Sequence, residues 1–388
     1  MRARFFGPWI ALTLLAGAMG ASSQSTASKS PQSIEMLKKQ GENQDANYYR
    51  KAAEQGDAEA QFNLGLLYAL GNGVPQDDAQ AAQWWRKAAE QGNAKAQFGL
   101  GGLYDLGHGV PQDDAQAAQW WRKAAEQGNA KAQFGLGGLY DLGHGVPQDD
   151  AQAAQWWRKA AEQGHASAQT SLGVLYGGGH GVPQDYTQAA HWWRTAADQG
   201  NAKAQFNLGV LYDQGHGVPQ DSTQAAIWWR KAAEQGAATA RFNLGVLYDH
   251  GNGVPQDYTQ AAIWWRKAAE HGYAKAQLYL GLLYDQGHGV PQDCTQAAQW
   301  YRKAAEQGNV SAQLKLCVSY DQSHGVAKDY AEAYFWCDLG ASGKVEGIKQ
   351  EGFDKIRDGA ASHLTPTELA RVQKRERKWI EDHPAKRQ

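Results

Sequence analysis

Residues 52–87 have the sequence AAEQGDAEAQFNLGLLYALGNGVPQDDAQAAQWWRK, and this 36-residue pattern starts again at residue 88 without insertion or deletion. It starts six more times, at residues 124, 160, 196, 232, 268 and 304, and the copies 88–123 and 124–159 are identical. A fixed period of this length predicts a solenoid, because one unit cannot bury its own apolar face and must stack on its neighbours.

Residues 58–70 carry the pattern of a first helix. They lack proline, and Ala60, Leu64 and Leu67 recur in the copies at the i, i+4, i+7 spacing of one helix face. Gly65 also recurs, although a glycine inside a helix costs about 1 kcal/mol relative to alanine. We therefore expect two helices to approach each other closely at this position.

Glycines and an aspartate separate the first helix from a second one. Gly71 and Gly73 are predicted to end the first helix, and Asp77 is the predicted N-cap of a helix that begins near Asp78. The buried face of this second helix is predicted to consist of Ala81, Trp84, Trp85 and Ala88. Each unit is thus expected to be an antiparallel helical hairpin.

These residues resemble the Sel1-like repeat family of the tetratricopeptide-like superfamily, in its secreted bacterial type. The shared pattern is A-x-x-G-x-x-x-A-x-x-x-L-G-x-x-Y-x-x-G-x-G-V-x-x-D-x-x-x-A-x-x-W-W-x-K-A, repeated from Ala52 to Leu339. The resemblance implies an all-α fold, an α/α solenoid in which 36-residue Sel1-like hairpins wind into a right-handed superhelix. The eighth copy departs most, with Ser323 in place of glycine and Ala327 in place of proline, so its loop geometry is the hardest to predict.

The repeat register predicts how the chain is divided. We predict a signal peptide over 1–21, a disordered polar linker over 22–34, a partial repeat over 35–51, eight repeats over 52–339, and capping helices with a tail over 340–388. The eight repeats are 52–87, 88–123, 124–159, 160–195, 196–231, 232–267, 268–303 and 304–339.

The first residues predict export. Arg2 and Arg4 form a basic start, residues 9–16 form a short apolar core, and small residues follow. The apolar stretch is too short for a typical membrane span. We expect a Sec-type signal peptide and a secreted or periplasmic protein without a membrane span after cleavage; an uncleaved anchor is the alternative. With a formal net charge of −2, no nucleic-acid partner is expected.

Two of the three cysteines lie in the eighth repeat. Cys317 replaces the recurrent close-contact glycine and Cys337 replaces the second aromatic residue, so both are predicted at the seam of that hairpin. In an oxidising compartment they would form a disulfide that closes a 20-residue loop, worth about 3 kcal/mol. Two buried thiols are the alternative. Cys294 is expected to be exposed and unpaired.

One position of the repeat holds a histidine in six copies, His108, His144, His180, His216, His288 and His324. We expect no metal there, because equivalent atoms of stacked repeats stand about 8–10 Å apart, whereas zinc ligands lie about 2 Å from the ion. Asn72 and Asn252 occupy the same position, which favours a helix-capping role. The sequence contains no metalloprotease or serine-hydrolase motif, and repeated acids such as Asp113 are predicted N-caps. The chain is therefore predicted not to be an enzyme and to need no cofactor.

The positions that vary most between copies of the first helix predict a binding surface. They are spaced 4, 3 and 4 residues apart and so share one helix face. First helices line the concave groove of tetratricopeptide-like superhelices, so the resemblance implies that this face holds a protein or peptide of unknown identity; drift of exposed positions is the alternative. The predicted groove residues are Lys95, Gly99, Gly102, Leu106, Lys203, Asn207, Val210, Asn243, Val246, Tyr279 and Leu282.

Four glycines on this face lack an evident packing reason in the sequence, namely Gly99, Gly102, Gly135 and Gly138. They indicate either drift copied by a recent duplication or a place where a ligand backbone lies directly against the helices.

The resemblance and the pattern together predict a non-catalytic secreted or periplasmic scaffold that binds proteins through its concave groove. One alternative is a cell-envelope, peptidoglycan-directed hydrolase or binding module. Another is a structural stalk with a partner at each end. A unique polar cluster that interrupts the repeat would favour the hydrolase.

Overall fold

The computed structural model describes residues 45–342 and 350–383. Within these two ranges all regular secondary structure is helical, and none of the helices is long and apolar enough to cross a membrane. The chain divides into two compact units, Met1–Gln199 and Gly200–Gln388. The predicted signal peptide and linker lie outside the described residues.

The first unit contains one helix followed by four helical hairpins. Helix α1 covers residues 45–54. The hairpins are α2 (Ala58–Leu70) with α3 (Asp78–Glu90), α4 (Ala94–Leu106) with α5 (Asp114–Glu126), α6 (Ala130–Leu142) with α7 (Asp150–Glu162), and α8 (Ala166–Gly178) with α9 (Tyr186–Asp198).

The second unit contains four hairpins followed by two more helices. The hairpins are α10 (Ala202–Gln214) with α11 (Ser222–Glu234), α12 (Ala238–His250) with α13 (Tyr258–Glu270), α14 (Ala274–Gln286) with α15 (Cys294–Glu306), and α16 (Val310–Gln322) with α17 (Tyr330–Ser342). Helices α18 (Gln350–Ser362) and α19 (Pro366–Asp382) follow. The predicted all-α solenoid of helical hairpins is confirmed.

The helix ends follow the residues that predicted them. The Asp77 carboxylate accepts the N–H of Gln80 and so caps α3. At the end of α2, Gly71 adopts the left-handed conformation with φ 69°. Ser323 takes the same conformation with φ 60° at the end of α16. The eighth repeat therefore keeps this helix end although a serine has replaced the glycine.

The second tryptophan of each pair fills the space between the two helices of a hairpin. Trp85 is 2% exposed, and its indole Nε1 donates to the Phe62 carbonyl at 3.0 Å. A Cβ added to Gly65 would lie 2.5 Å from the Trp85 ring. The predicted close approach at Gly65 is confirmed, and its physical reason is that an indole occupies the place of a side chain.

Buried glutamines join one hairpin to the next within the first unit. The Gln97 amide, in α4, donates to the Ala89 carbonyl of α3 at 3.0 Å. The Gln127 amide donates in turn to Gln97 Oε1 at 2.8 Å. A buried amide costs free energy unless it is hydrogen-bonded, so these partners hold each glutamine in place. The repeat pattern alone did not predict this pairing, although a polar residue recurring on a buried face was the available signal.

Candidate functional site

The predicted groove residues of the first unit are only partly accessible. Lys95 is exposed, and its Nζ lies 3.0 Å from Glu59 Oε1 in the preceding repeat. Leu106 is half-buried. Gly99 and Gly102 are buried in α4. They therefore offer no open surface to a ligand backbone.

The glycines at Gly99 and Gly135 have a packing reason that the sequence did not reveal. A Cβ on Gly99 would lie 3.0 Å from the ring of Trp85, which belongs to the preceding hairpin. A Cβ on Gly135 would meet Trp121 at the same distance. The interpretation that these two glycines lack a structural role is wrong, because they face the indole of the neighbouring repeat rather than solvent.

The predicted groove residues of the second unit fall into two classes. The apolar ones pack against the core and are partly buried, namely Val210, Val246, Tyr279 and Leu282. The Tyr279 ring, for example, packs edge-on against Trp265 with centroids 4.9 Å apart. Among the polar ones, Lys203 is exposed, whereas Asn207 and Asn243 are half-buried like the apolar residues. A partner on this face would therefore meet one exposed lysine together with half-buried amides and apolar side chains.

The two cysteines of the eighth repeat are joined in a disulfide. Cys317 of α16 and Cys337 of α17 are fully buried, and their Cα atoms are 4.9 Å apart. The bond links the two helices of one hairpin at the place where the first six repeats combine a glycine with an indole. Cys294 is a free thiol and is half-buried rather than exposed.

At His288 and His324 the imidazole contacts the preceding repeat instead of capping a helix end. The backbone N–H of His108 donates to the Leu103 carbonyl at 3.1 Å and closes the helix end itself. The His288 ring instead stacks on Tyr258 of the preceding repeat, with centroids 4.9 Å apart. A Cβ on Gly289 would collide with the Tyr258 carbonyl. The loop therefore lies against the first turn of the second helix of the preceding repeat. This contact brings the His288 ring onto Tyr258.

At one such junction the side chains form a cluster of metal-ligating groups. Asp285 lies in α14, Cys294 begins α15, and His324 lies in the loop after α16; one potential ligand atom from each falls within 4.8 Å of the others. His324 Nε2 is 2.6 Å from Asp285 Oδ1. Among the residues that the structure describes, no other group of three or more such side chains converges in this way.

A tyrosine lies behind the cluster. The Tyr301 hydroxyl donates to Asp285 Oδ2 at 3.4 Å. Burial, and then the charge of Asp285, raise the pKa of Tyr301 far above its usual range, so the hydroxyl keeps its proton and remains a donor. The sequence prediction treated the histidines as one set and therefore missed this cluster. The available signal was that Cys294 and Tyr301 both depart from the repeat within 268–303.

The family model of the Sel1 repeat matches the chain at residues 46–57, 58–93, 94–129, 130–165, 166–201, 202–236, 238–273, 274–309 and 310–344. The crystal structure of a Sel1 repeat protein from Oxalobacter formigenes is 35% identical, covers 86% of this chain and 96% of that chain, and has a TM-score of 0.63. The crystal structure of a protective antigen present in uropathogenic Escherichia coli strains, which displays an SLR fold, is 32% identical, covers 87% of this chain and 95% of that chain, and has a TM-score of 0.57. None of the curated proteins matches the chain.

Proposed function

The chain belongs to the Sel1 repeat family, whose members are generally protein-interaction scaffolds, and from this premise we propose that it is an exported, non-catalytic scaffold that holds a protein or peptide segment along its first helices. The fold alone does not specify a function. The observation that supports this surface is that the first helices of the second unit leave Asn207 and Asn243 half-buried and Lys203 exposed on one face.

That face has the chemistry to hold an extended peptide. Asn207 and Asn243 stand at equivalent positions of successive repeats in the second unit, and each amide offers donors and an acceptor to a peptide main chain. The exposed Lys203 lies on the same face. A segment that presents its main chain to these amides therefore fits this surface.

Export is part of the proposal. It is supported by the basic and apolar pattern of the first residues and by the disulfide between Cys317 and Cys337, since such bonds persist mainly in oxidising compartments. N-terminal sequencing of the mature protein is expected to find a start between Met19 and Gln24. A cytoplasmic chain that retains Met1 would contradict this part of the proposal.

Site-specific photo-crosslinking tests the surface. A photoreactive amino acid at Asn207 or Asn243, on first helices, is expected to capture the same partner from native envelope preparations. Ile227 and Gln299, which are exposed on second helices of the same unit, serve as matched controls and are expected to capture little of it. Equal capture from the controls would move the surface to the second helices. Turnover of peptidoglycan by the purified protein would instead favour the hydrolase.

A further inference from the structure

We propose that Asp285, Cys294 and His324 form a binding site for one zinc-class divalent ion. The ion would join the seventh repeat to the loop of the eighth and keep one coordination position for water. This site shares no residue with the protein-binding surface proposed above.

The donor set selects the class of metal. A thiolate, an imidazole and a carboxylate are the three ligand types that zinc uses in proteins. Calcium and magnesium prefer sites built from oxygen atoms alone. The thiolate and the imidazole of Cys294 and His324 therefore favour zinc, or cobalt as its spectroscopic substitute.

The geometry needs only a small adjustment. A tetrahedral ion with bonds of about 2.0–2.3 Å places its ligand atoms about 3.3–3.7 Å apart. The three atoms already lie within 4.8 Å of one another, and His324 Nε2 is hydrogen-bonded to Asp285 Oδ1 at 2.6 Å. The ion would replace that shared proton, moving the two atoms apart by about 1 Å. The Cys294 thiol would release its proton to solvent on binding.

A second feature of the same repeat supports the site independently. The residue that fills the hairpin seam is a tryptophan in the six preceding repeats, but it is Tyr301 here. The Tyr301 hydroxyl reaches Asp285, and an outer partner of this kind orients a metal-binding carboxylate. The seventh repeat thus carries two substitutions, Cys294 and Tyr301, and both place a polar side chain near the Asp285 carboxylate.

The neighbouring junctions lack the full set and provide natural controls. Where the seventh repeat has Cys294, the sixth has Tyr258, and the His288 ring stacks on that phenol instead of meeting a thiol. The fifth repeat has Ser222 at this position. Because serine and tyrosine stand there in folded repeats, Cys294→Ser is expected to leave the fold intact.

Metal titration of the oxidised full-length chain tests the site. With Cys317 and Cys337 in their disulfide, Cys294 is the one remaining thiol of the three cysteines. After chelator treatment, Co²⁺ is expected to bind with a stoichiometry of one and to produce a sulfur-to-cobalt charge-transfer band, which Zn²⁺ then removes. Zn²⁺ is also expected to slow alkylation of Cys294.

The variants distinguish this site from adventitious binding. Cys294→Ser is expected to abolish the charge-transfer band, and His324→Asn to weaken Zn²⁺ binding at least tenfold. Tyr301→Phe is expected to weaken it by about 10-fold to 100-fold, as loss of an outer partner does. His288→Asn is the matched control and is expected to change nothing. Absence of the band, its survival in Cys294→Ser, or equal effects of His288→Asn and His324→Asn would each overturn the proposal; circular dichroism checks that every variant is folded.

Discussion

The identical repeats 88–159 and the divergent repeats 232–339 use helices of the same length, but one of the divergent repeats holds its hairpin to the preceding one with different side chains. In the first region Gln97 links the Ala89 carbonyl to Gln127. In the second, the seventh and eighth repeats keep this glutamine as Gln277 and Gln313. In the sixth repeat, Arg241 stands in its place and donates from Nε to the Ala233 carbonyl at 3.0 Å. Its other partner has changed as well, because Arg241 Nη1 lies 3.3 Å from His271 Nδ1.

This comparison shows which parts of the repeat are exchangeable. The carbonyl acceptor of the preceding helix is kept, whereas the two side chains that meet over it change together. The close contact of glycine with indole is likewise replaced as a pair, since the disulfide of the eighth repeat substitutes for both. Residues that recur in the repeats thus indicate packing that the repeats share. Paired substitutions such as Cys294 with Tyr301 indicate a feature of one repeat alone.

The largest expected effect is that of removing the buried indole between the two helices of a hairpin. Its removal tests whether the two regions depend on the same contact for stability. Trp121→Ala and Trp265→Ala are each expected to lower the free energy of unfolding by about 3–5 kcal/mol, because each removes a fully buried side chain. The loss at Trp265 is expected to be larger by about 1 kcal/mol, since the Tyr279 ring packs on it.

Hydrogen exchange of the backbone amides measures where this stability is lost. Coupling in a repeat array runs mainly between nearest neighbours, so Trp121→Ala is expected to loosen its own and the adjacent repeats first. Equal loosening of α16 and α17 would contradict this locality.

The disulfide gives the next effect and sharpens the difference between the regions. Replacing both partners, Cys317→Ala with Cys337→Ala, is expected to cost about 3 kcal/mol for a loop of this length, and the loss should appear in the exchange of α16 and α17 amides. Non-reducing peptide mapping of the wild type is expected to recover the two cysteine peptides linked. Recovery of both as alkylatable thiols in unreduced protein would show that this disulfide does not form.

A reciprocal exchange tests the left-handed helix end. Ser323 has φ 60°, and Gly287, at the equivalent position of the preceding repeat, has φ 71°. Ser323→Gly is expected to stabilise its repeat by about 1 kcal/mol, and Gly287→Ser to destabilise by about the same amount, because side chains disfavour this conformation. Urea denaturation of the two variants measures the difference. Effects of the same sign would show that local packing, rather than backbone conformation, determines the cost.

The smallest effect depends on pH and concerns a cap within the first unit. His165 Nδ1 accepts the N–H of Ala168 at 3.2 Å, whereas Asn93 and Asn129 cap the equivalent helices. Burial, and then the nearby charge of Lys131, lower the pKa of His165 from its usual 6.5. The unfolded chain therefore takes up this proton at a higher pH than the folded chain does.

The sign of the pH dependence follows from that difference. The contribution of His165 to stability is complete above pH 6.5 and is lost as the pH falls towards the folded pKa. His165→Asn is expected to match the wild type near neutral pH and to be more stable in acid by about 1 kcal/mol, the usual worth of an N-cap. Parallel pH profiles of the two proteins in thermal unfolding would contradict the assignment.

The 36-residue period by itself determined the hairpins, their helix ends and the close approach of two helices at Gly65. These features depend on residues within one repeat, where i, i+4 spacing, N-capping aspartates and left-handed glycines act locally. The pattern also marked Cys317 and Cys337 as neighbours, because both replace residues of a recurrent contact.

Only the tertiary structure determined the contacts between neighbouring repeats. It showed that Gly99, one of the predicted groove residues, packs against Trp85, and it brought Asp285, Cys294 and His324 together from separate elements of two repeats. Such contacts depend on how far one hairpin is shifted and rotated on the next. The sequence period does not encode that shift directly, since it results from the packing of side chains on both hairpins.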